Sequence, residues 1–367
     1  MSGAFRNLGT KIVRRTLTLH KPLVRLARQR ERAAEHRRFR AEAQEVEREV
    51  AAIARGTRPI LVGPWLAEVG YEVLYWVPFL RWFADKYAIP PSRLIVVSRG
   101  GVAGWYAPFA GRYVDLFDLI SPQDLAEKNR RRQDAQERGG QKQSGLGAFD
   151  REILDLAEAH LGAGAVNVCH PSVLFRLFKH VWYGNLPVDF LWTRTRFVTV
   201  DAATHDDPGV DMELPQRFAA VKFYSGVAIP MTDGHAAWVR DLVRGLAASM
   251  PVVALDSDYG IDEHRDFDLS DIPNVTSALR WMTPSNNLGL QSRVMARASC
   301  YVGTCGGLAW LAPFLGVPTT AVFADDQLLG THLMIARQAV RTTGAAEFST
   351  FDLRAAGRLG FRRDICD

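Results

Sequence analysis

The stretch Cys300-Tyr301-Val302-Gly303-Thr304-Cys305-Gly306-Gly307-Leu308-Ala309-Trp310-Leu311-Ala312-Pro313-Phe314-Leu315-Gly316-Val317-Pro318-Thr319 restricts the fold more than any other. A short apolar run enters a glycine turn and a helix of small residues follows. Gly316-Val317-Pro318 then leads into a second apolar run, Thr320 to Phe323. Strand, turn, helix and strand in succession are the repeating unit of a parallel α/β sheet. The glycines leave backbone N–H groups uncovered at the helix start, a seat that suits phosphate or another anion. A nucleotide-type ligand is therefore expected.

The same unit recurs along the chain. Residues 58–62 predict a strand, Gly63-Pro64-Trp65 a turn, Val69 to Tyr87 a helix, and Leu94 to Val97 a second strand closed by Ser98-Arg99-Gly100-Gly101. Ala165 to Cys169 predicts a further strand ending in His170-Pro171-Ser172. After an Asp- and Pro-rich stretch at 201–215 the pattern restarts, with strands at Phe218 to Phe223 and Val252 to Leu255 and helices at Trp238 to Ser249 and Asn287 to Ala298. The expected fold class is α/β: two Rossmann-like domains facing a cleft, over 57–205 and 216–345, with the ligand at the carboxyl ends of the strands. A mobile loop is expected over 127–147, where apolar residues are almost absent. A C-terminal tail, 346–367, is expected to pack back on the first domain.

Charge isolates one further segment. The 367 residues carry a net +5, yet residues 1–55 alone hold 14 Lys and Arg against 6 Asp and Glu, leaving the rest at −3. The basic character belongs to an arm, 1–56, and not to the body, which argues against general nucleic-acid binding. Leu8, Ile12, Val13, Leu17, Leu19, Leu23 and Leu26 form a stripe beside Lys11, Arg14, Arg15, Lys21, Arg25 and Arg28. Residues 1–30 thus predict a basic amphipathic helix, suited either to an anionic bilayer surface or to packing on its own protein or a partner. Residues from Arg30 to Arg55 predict a mostly charged exposed helix or coiled coil ended by Gly56. No apolar run reaches the ~18–20 residues of a membrane span, and basic residues interrupt any signal-peptide core. Cys169, Cys300, Cys305 and Cys366 have no metal-ligand spacing and predict free thiols. A cytoplasmic protein, peripheral on the inner face of the membrane, is the expected setting.

Two stretches carry a resemblance: Gly63-Pro64-Trp65-Leu66-Ala67-Glu68-Val69-Gly70-Tyr71-Glu72-Val73-Leu74 with Trp76-Val77-Pro78-Phe79-Leu80, and Asn287-Leu288 through Gln291 followed by Gly303 to Pro318. Together with the two α/β halves they resemble GT-B glycosyltransferases of the heptosyltransferase-like and polysaccharide-assembly type. The resemblance implies transfer of a sugar, with inversion, from a nucleotide-sugar donor to a hydroxyl of a glycan or lipid-linked glycan. It implies no cofactor and no divalent metal. One departure stands out: Tyr71 separates Gly70 from Glu72, and a second carboxylate, Glu68, precedes the glycine. Either Glu68 or Glu72, with Glu72 slightly favoured, is then the base that takes the acceptor proton; His170 is a further candidate. Lys222, Asp256, Asn287, Gln291, Thr304, Gly306 and Gly307 are expected on the donor side, and Gly70, Arg99 and Ser172 on the acceptor side. Asp256-Ser257-Asp258 has an Asp-x-Asp form, too short a signal to assign a metal. Two other classes share the architecture: a nucleotide-sugar epimerase or hydrolase, and a non-catalytic sugar-nucleotide-binding scaffold.

Overall fold

In the computed structural model, residues 30, 33–134, 143–162, 164–200, 212–257, 259, 264–325 and 329–356 are described. Residues 1–29 of the expected amphipathic segment, Asp258 and most of the linker lie outside them. Four strands form the first sheet: β1 (Ile60–Val62), β2 (Leu94–Ser98), β3 (Arg112–Asp115) and β4 (Asn167–Cys169), all parallel in the order β3-β2-β1-β4. Every residue of β1 and β2 is buried. Uninterrupted apolar runs of this kind belong to strands covered by helices on both faces.

The crossover from β1 to β2 is one continuous helical segment: a turn at Val69–Tyr71, a π-helical stretch at Glu72–Trp76 and an α-helix at Val77–Lys86. Between β3 and β4 lie helices Pro122–Asp134 and Ala148–Leu161. The first of these runs through the opening part of the expected mobile loop. Its Arg, Lys, Gln and Glu side chains favour a helix without an apolar stripe. Leu125 anchors it in the core, and Asn129 and Arg132 both donate to the Leu66 carbonyl.

The second half adds β5 (Ala219–Lys222), β6 (Tyr224–Ser225), β7 (Val252–Ala254), β8 (Arg265–Asp266), β9 (Val275–Ser277), β10 (Cys300–Thr304), β11 (Thr319–Phe323) and β12 (Phe348–Asp352). Six of them make a parallel sheet in the order β12-β11-β10-β5-β7-β9, while β6 and β8 pair antiparallel on their own. The expected tail therefore supplies an edge strand to the second domain through Asp352. The first half repeats part of the second half's order: β1 lies between β2 and β4, as β5 lies between β7 and β10. Successive crossovers leave these strands in opposite directions, which opens a crevice at their carboxyl ends. Two Rossmann-like domains facing a cleft are thus the architecture present.

The helix over 33–54 is not the exposed rod its charge predicts. Ala43, Val46, Val50 and Ala54 are buried in the same core as β1 and the Ser172–Trp182 helix. Their three- and four-residue spacing puts them on one face. Flanking carboxylates meet basic groups of the first domain: Glu42 with His180 at 2.9 Å, Glu49 with Arg176 at 2.6 Å, and Glu47 with Arg194. Asn167 and Arg93 donate to the carbonyls of Ile53 and Ala54. The stripe is made of small residues interleaved with charge, which hides it in the sequence. Among the cysteines, Cys169 and Cys305 are buried free thiols, whereas Cys300 is in a disulfide and not free.

Candidate active site at the carboxyl ends of the two sheets

A cavity of about 280 Å³ opens between the carboxyl ends of the two sheets and takes its walls from both halves. Two glycine seams bring the halves together. In one, the starts of the Val69 and Gly307 helical segments abut: a Cβ on Gly307 would sit 2.8 Å from Val69 Cγ1 and 3.1 Å from the Gly70 nitrogen, and one on Gly70 would sit 2.7 Å from Trp310 Cζ3. In the other, the turn after β2 meets the Asn287–Ala296 helix. Gly100 and Gly101 both hold φ +75°, a region open to glycine, and a Cβ on Gly100 would fall 2.3 Å from Asn287 Oδ1. The Gly289 amide donates to the Gly100 carbonyl at 2.8 Å. Beside the seams, the Tyr71 and Tyr75 hydroxyls of the first half both reach the His332 ring of the second.

The first-half wall is Glu68, at the end of the loop 63–68, with Val69, Gly70, Arg99 and Phe117. The Trp65 amide donates to Val97 at 3.0 Å. Below the loop sits fully buried Gln143: its Oε1 accepts from the Leu66 amide, and its Nε2 donates to the Pro64 carbonyl and to Asp150, each at 2.8 Å. Asp150 also faces His170 Nε2 at 3.2 Å, and His170 Nδ1 accepts from the Ser172 amide. That bond leaves the neutral ring's proton on Nε2. Burial alone would raise Asp150, but His170, Gln143 and the Gly147 amide hold it below the ordinary carboxyl value. His170 and Ser172 belong to this buried network and do not line the cavity.

Glu68 and Glu72 part company. Glu68 stands ahead of the helix with extended φ −63° and ψ 143°, partly exposed on the cavity wall. Glu72 lies in the π-helical stretch, fully buried and off the wall. A regular helix would place residues four apart on one face; the extended Glu68 and the π turn break that relation. Glu72 Oε1 accepts from Ser98 Oγ at 2.6 Å and from the Tyr106 hydroxyl at 2.5 Å, while Oε2 has no partner among the described residues. Burial pushes Glu72 up to about 7 against the opposing pull of Ser98, Tyr106 and Arg99. Arg99, at the end of β2, lines the cavity, as does Gly70.

On the second-half wall Lys222, Asn287, Gln291, Gly306 and Gly307 converge. The Lys222 ammonium donates to Asp266 Oδ2 at 2.8 Å and to Ser257 Oγ at 3.2 Å. Gln291 is buried and donates to the Leu255 carbonyl. Thr304 stays behind the wall: its hydroxyl accepts from the Tyr224 amide and donates to the Tyr224 carbonyl, tying β10 to β6. Asp256 is turned to Ser277 Oγ at 2.7 Å, also off the wall, with its carboxyl raised by burial. Tyr224, Ser257, His264 and Asp266 line the cavity without having been expected there. Tyr224 covers Gly306, where a Cβ would meet its hydroxyl at 2.0 Å, and packs tilted against His264 with centroids 4.5 Å apart. The aromatic and hydroxyl residues directly after Lys222 were a local signal for Tyr224. Asp266 had none, because β8 reaches β6 from some forty residues away.

No protein-family model matches the chain, and no curated protein matches it. Several solved structures do. The E. coli heptosyltransferase WaaC with ADP-2-deoxy-2-fluoro heptose is 15% identical over 72% of this chain and 88% of its own, at a TM-score of 0.35. The E. coli ADP-heptose lps heptosyltransferase II is 10% identical over 79% and 100%, at 0.38. A putative UDP-N-acetylglucosamine 2-epimerase from Listeria monocytogenes is 12% identical over 83% and 95%, at 0.37. Likeness this low carries no assignment, and the functional reading rests on the cavity itself. Among the described residues, no group of three or more His, Cys, Asp and Glu is placed to hold a metal ion.

Proposed function

We propose that this chain is an inverting, metal-independent glycosyltransferase that moves a sugar from a nucleotide-sugar donor to a hydroxyl of a glycan or lipid-linked glycan. One observation carries the reading: a cavity at the topological switch points of two parallel sheets sets a carboxylate, Glu68, opposite the glycine-floored end of β10. Such crevices hold nucleotide ligands in open α/β sheets. In this reading the acceptor oxygen attacks the anomeric carbon, the carbon–oxygen bond to the diphosphate breaks, and Glu68 takes the acceptor proton. Arg99 and the backbone at Gly306 and Gly307 meet the charge on the leaving diphosphate. Glu72, sealed off from the cavity, supports the wall and touches no substrate.

The test couples binding to turnover. Thermal-shift screening of the protein against nucleotides and nucleotide sugars identifies the donor; stabilisation by none of them contradicts the proposal. With that donor, Glu68→Gln lowers turnover by about 10²–10⁴-fold, as expected for loss of a general base, and leaves donor affinity within a few-fold. Full turnover in Glu68→Gln removes the residue from its role. Release of nucleoside diphosphate that does not depend on any acceptor points instead to a hydrolase.

The basic segment 1–30 supports cytoplasmic placement against an anionic membrane surface. Co-sedimentation with anionic vesicles that survives its deletion argues against that part. Among the described residues, no helix is long and apolar enough to cross a membrane.

A further inference from the structure

Lys222 looks like a phosphate clamp by position, at the end of β5 in the crevice. Its surroundings say otherwise. The ammonium already donates to Asp266 Oδ2 and Ser257 Oγ, and the same Oδ2 accepts from the Ser257 amide at 2.7 Å. A second carboxylate, Asp256, is close enough for Lys222 to act on it through charge. The pocket around Lys222 is therefore not positive on balance, and a diphosphate gains little there.

Asp266 is also mounted firmly. It stands in β8 opposite Tyr224 of β6, the adjoining Phe267 amide donates to the Phe223 carbonyl at 3.0 Å, and Tyr224 is tied to Thr304 of β10. The β6–β8 pairing thus fixes the backbone that carries this carboxylate. What the pair leaves open is specific: Asp266 Oδ1 has no hydrogen-bond partner among the described residues, the ammonium has two of its three protons engaged, and both residues line the cavity. A neutral pair offering one acceptor and one donor side by side matches adjacent hydroxyls, in which one oxygen accepts while its neighbour donates.

We infer that Asp266 and Lys222 together form a diol-reading site for the hydroxylated part of the ligand, with Asp266 Oδ1 as the acceptor. The inference rests on the donor reading of the cleft. Vicinal hydroxyls come from two sources, the ribose and the transferred sugar, and the test separates them. Isothermal titration of the full-length protein uses ADP, UDP, GDP, their deoxyribose counterparts, their glucose conjugates and inorganic pyrophosphate. Asp266→Ala is expected to weaken the hydroxyl-bearing ligands by about ten- to a hundredfold, the loss of a hydrogen bond to a charged group, and to leave pyrophosphate within about twofold of the unaltered protein.

If the ribose is read, the unaltered protein prefers ribose over deoxyribose ligands and the variant does not. If the sugar is read, the variant binds nucleoside diphosphates normally and glucose conjugates poorly. Asp266→Asn, which keeps the shape, gives a smaller loss in the same direction and covers the case in which the alanine variant does not fold. Equal binding by variant and unaltered protein, parallel loss of pyrophosphate, or tighter nucleotide binding by the variant each overturns the inference. The first leaves Asp266 without a ligand role, the second makes it a lysine positioner, and the third makes it a counter-ion that the donor displaces. Failure of the unaltered protein to bind any nucleotide or conjugate brings down the donor reading itself, a different result from these three.

Discussion

The two sheets share a strand order around β1 and β5, yet the carboxyl ends of those strands have different surroundings. At the end of β1 the Gly63 amide donates to the Cys169 carbonyl of β4, and the loop that follows is underpinned by Gln143, Asp150 and His170. Polar groups there meet one another in a buried layer behind the wall that carries Glu68. At the end of β5, Lys222, Tyr224 and Ser257 are held by neighbours yet still face the cavity, and Gly306 leaves backbone within reach. One topology thus yields a rigid wall on the first side and a receptive surface on the second. The difference lies in which polar residues the loops and crossovers bring in, not in the sheets.

The wall should break first at Gln143. Its amide joins Leu66, Pro64 and Asp150 in a place with no solvent access. Gln143→Ala strands a backbone N–H and a carbonyl, each costing about 1–3 kcal/mol when left buried and unmet, so a loss of about 4 kcal/mol is expected in urea unfolding. A change below about 1 kcal/mol would mean water replaces the side chain, and the layer behind the loop is less closed than its hydrogen bonds imply.

Glu72 sharpens the same contrast through pH. Its ordinary value is 4.5 and burial raises it to about 7. Between those values the folded protein holds a proton that the unfolded chain releases, so stability is highest at the acid side of the window and falls as pH rises through it. Over the whole window the loss amounts to about 3 kcal/mol. Asp115, raised to about 6 mainly by burial, adds to the fall in the same direction. Glu72→Gln, which cannot ionise, should flatten this slope and exceed the unaltered protein in stability above about pH 8. Denaturant midpoints measured across the window check it; an unchanged slope would show that the buried carboxyl stays charged.

Most of the sheet framework was legible in the residues. Ile60–Val62, Leu94–Val97 and Val252–Leu255 are apolar runs bounded by turns, and the Cys300–Thr319 unit falls where its pattern put it. The illegible parts depend on tertiary partners. Phe348–Asp352 has the half-buried pattern of an edge strand and makes sense only beside β11. Helix Pro122–Asp134 buries little beyond Leu125 and is fastened through polar groups to Leu66. At the site, the glycines and Lys222 were readable because a strand end next to a glycine turn is a local signal. The Glu68–Glu72 divergence needed a π turn that spacing does not encode, and Asp266 needed the distant β6–β8 pairing.

The smallest expected effect concerns how closely the wall and the receptive surface must meet. In Gly307→Ala the new Cβ lies 2.8 Å from Val69 Cγ1 and 3.1 Å from the Gly70 nitrogen. The valine can give way but the backbone cannot, so the helix starts must part by a few tenths of an ångström. Glu68 rides directly ahead of that backbone. Misplacement by about 1 Å costs about 10²-fold in rate, so a smaller shift predicts roughly tenfold lower turnover, with little change in global stability. The control is Gly245→Ala, inside helix Asp233–Ser249, where an added Cβ meets nothing within 4 Å. There the substitution should raise stability by about 0.5–1 kcal/mol, the ordinary gain of alanine over glycine in a helix, and leave turnover unchanged. If Gly307→Ala behaves like Gly245→Ala, the seam is loose and the two halves reach their working distance only with ligand bound. If they differ as expected, the glycine contact sets the span across which Glu68 faces the donor.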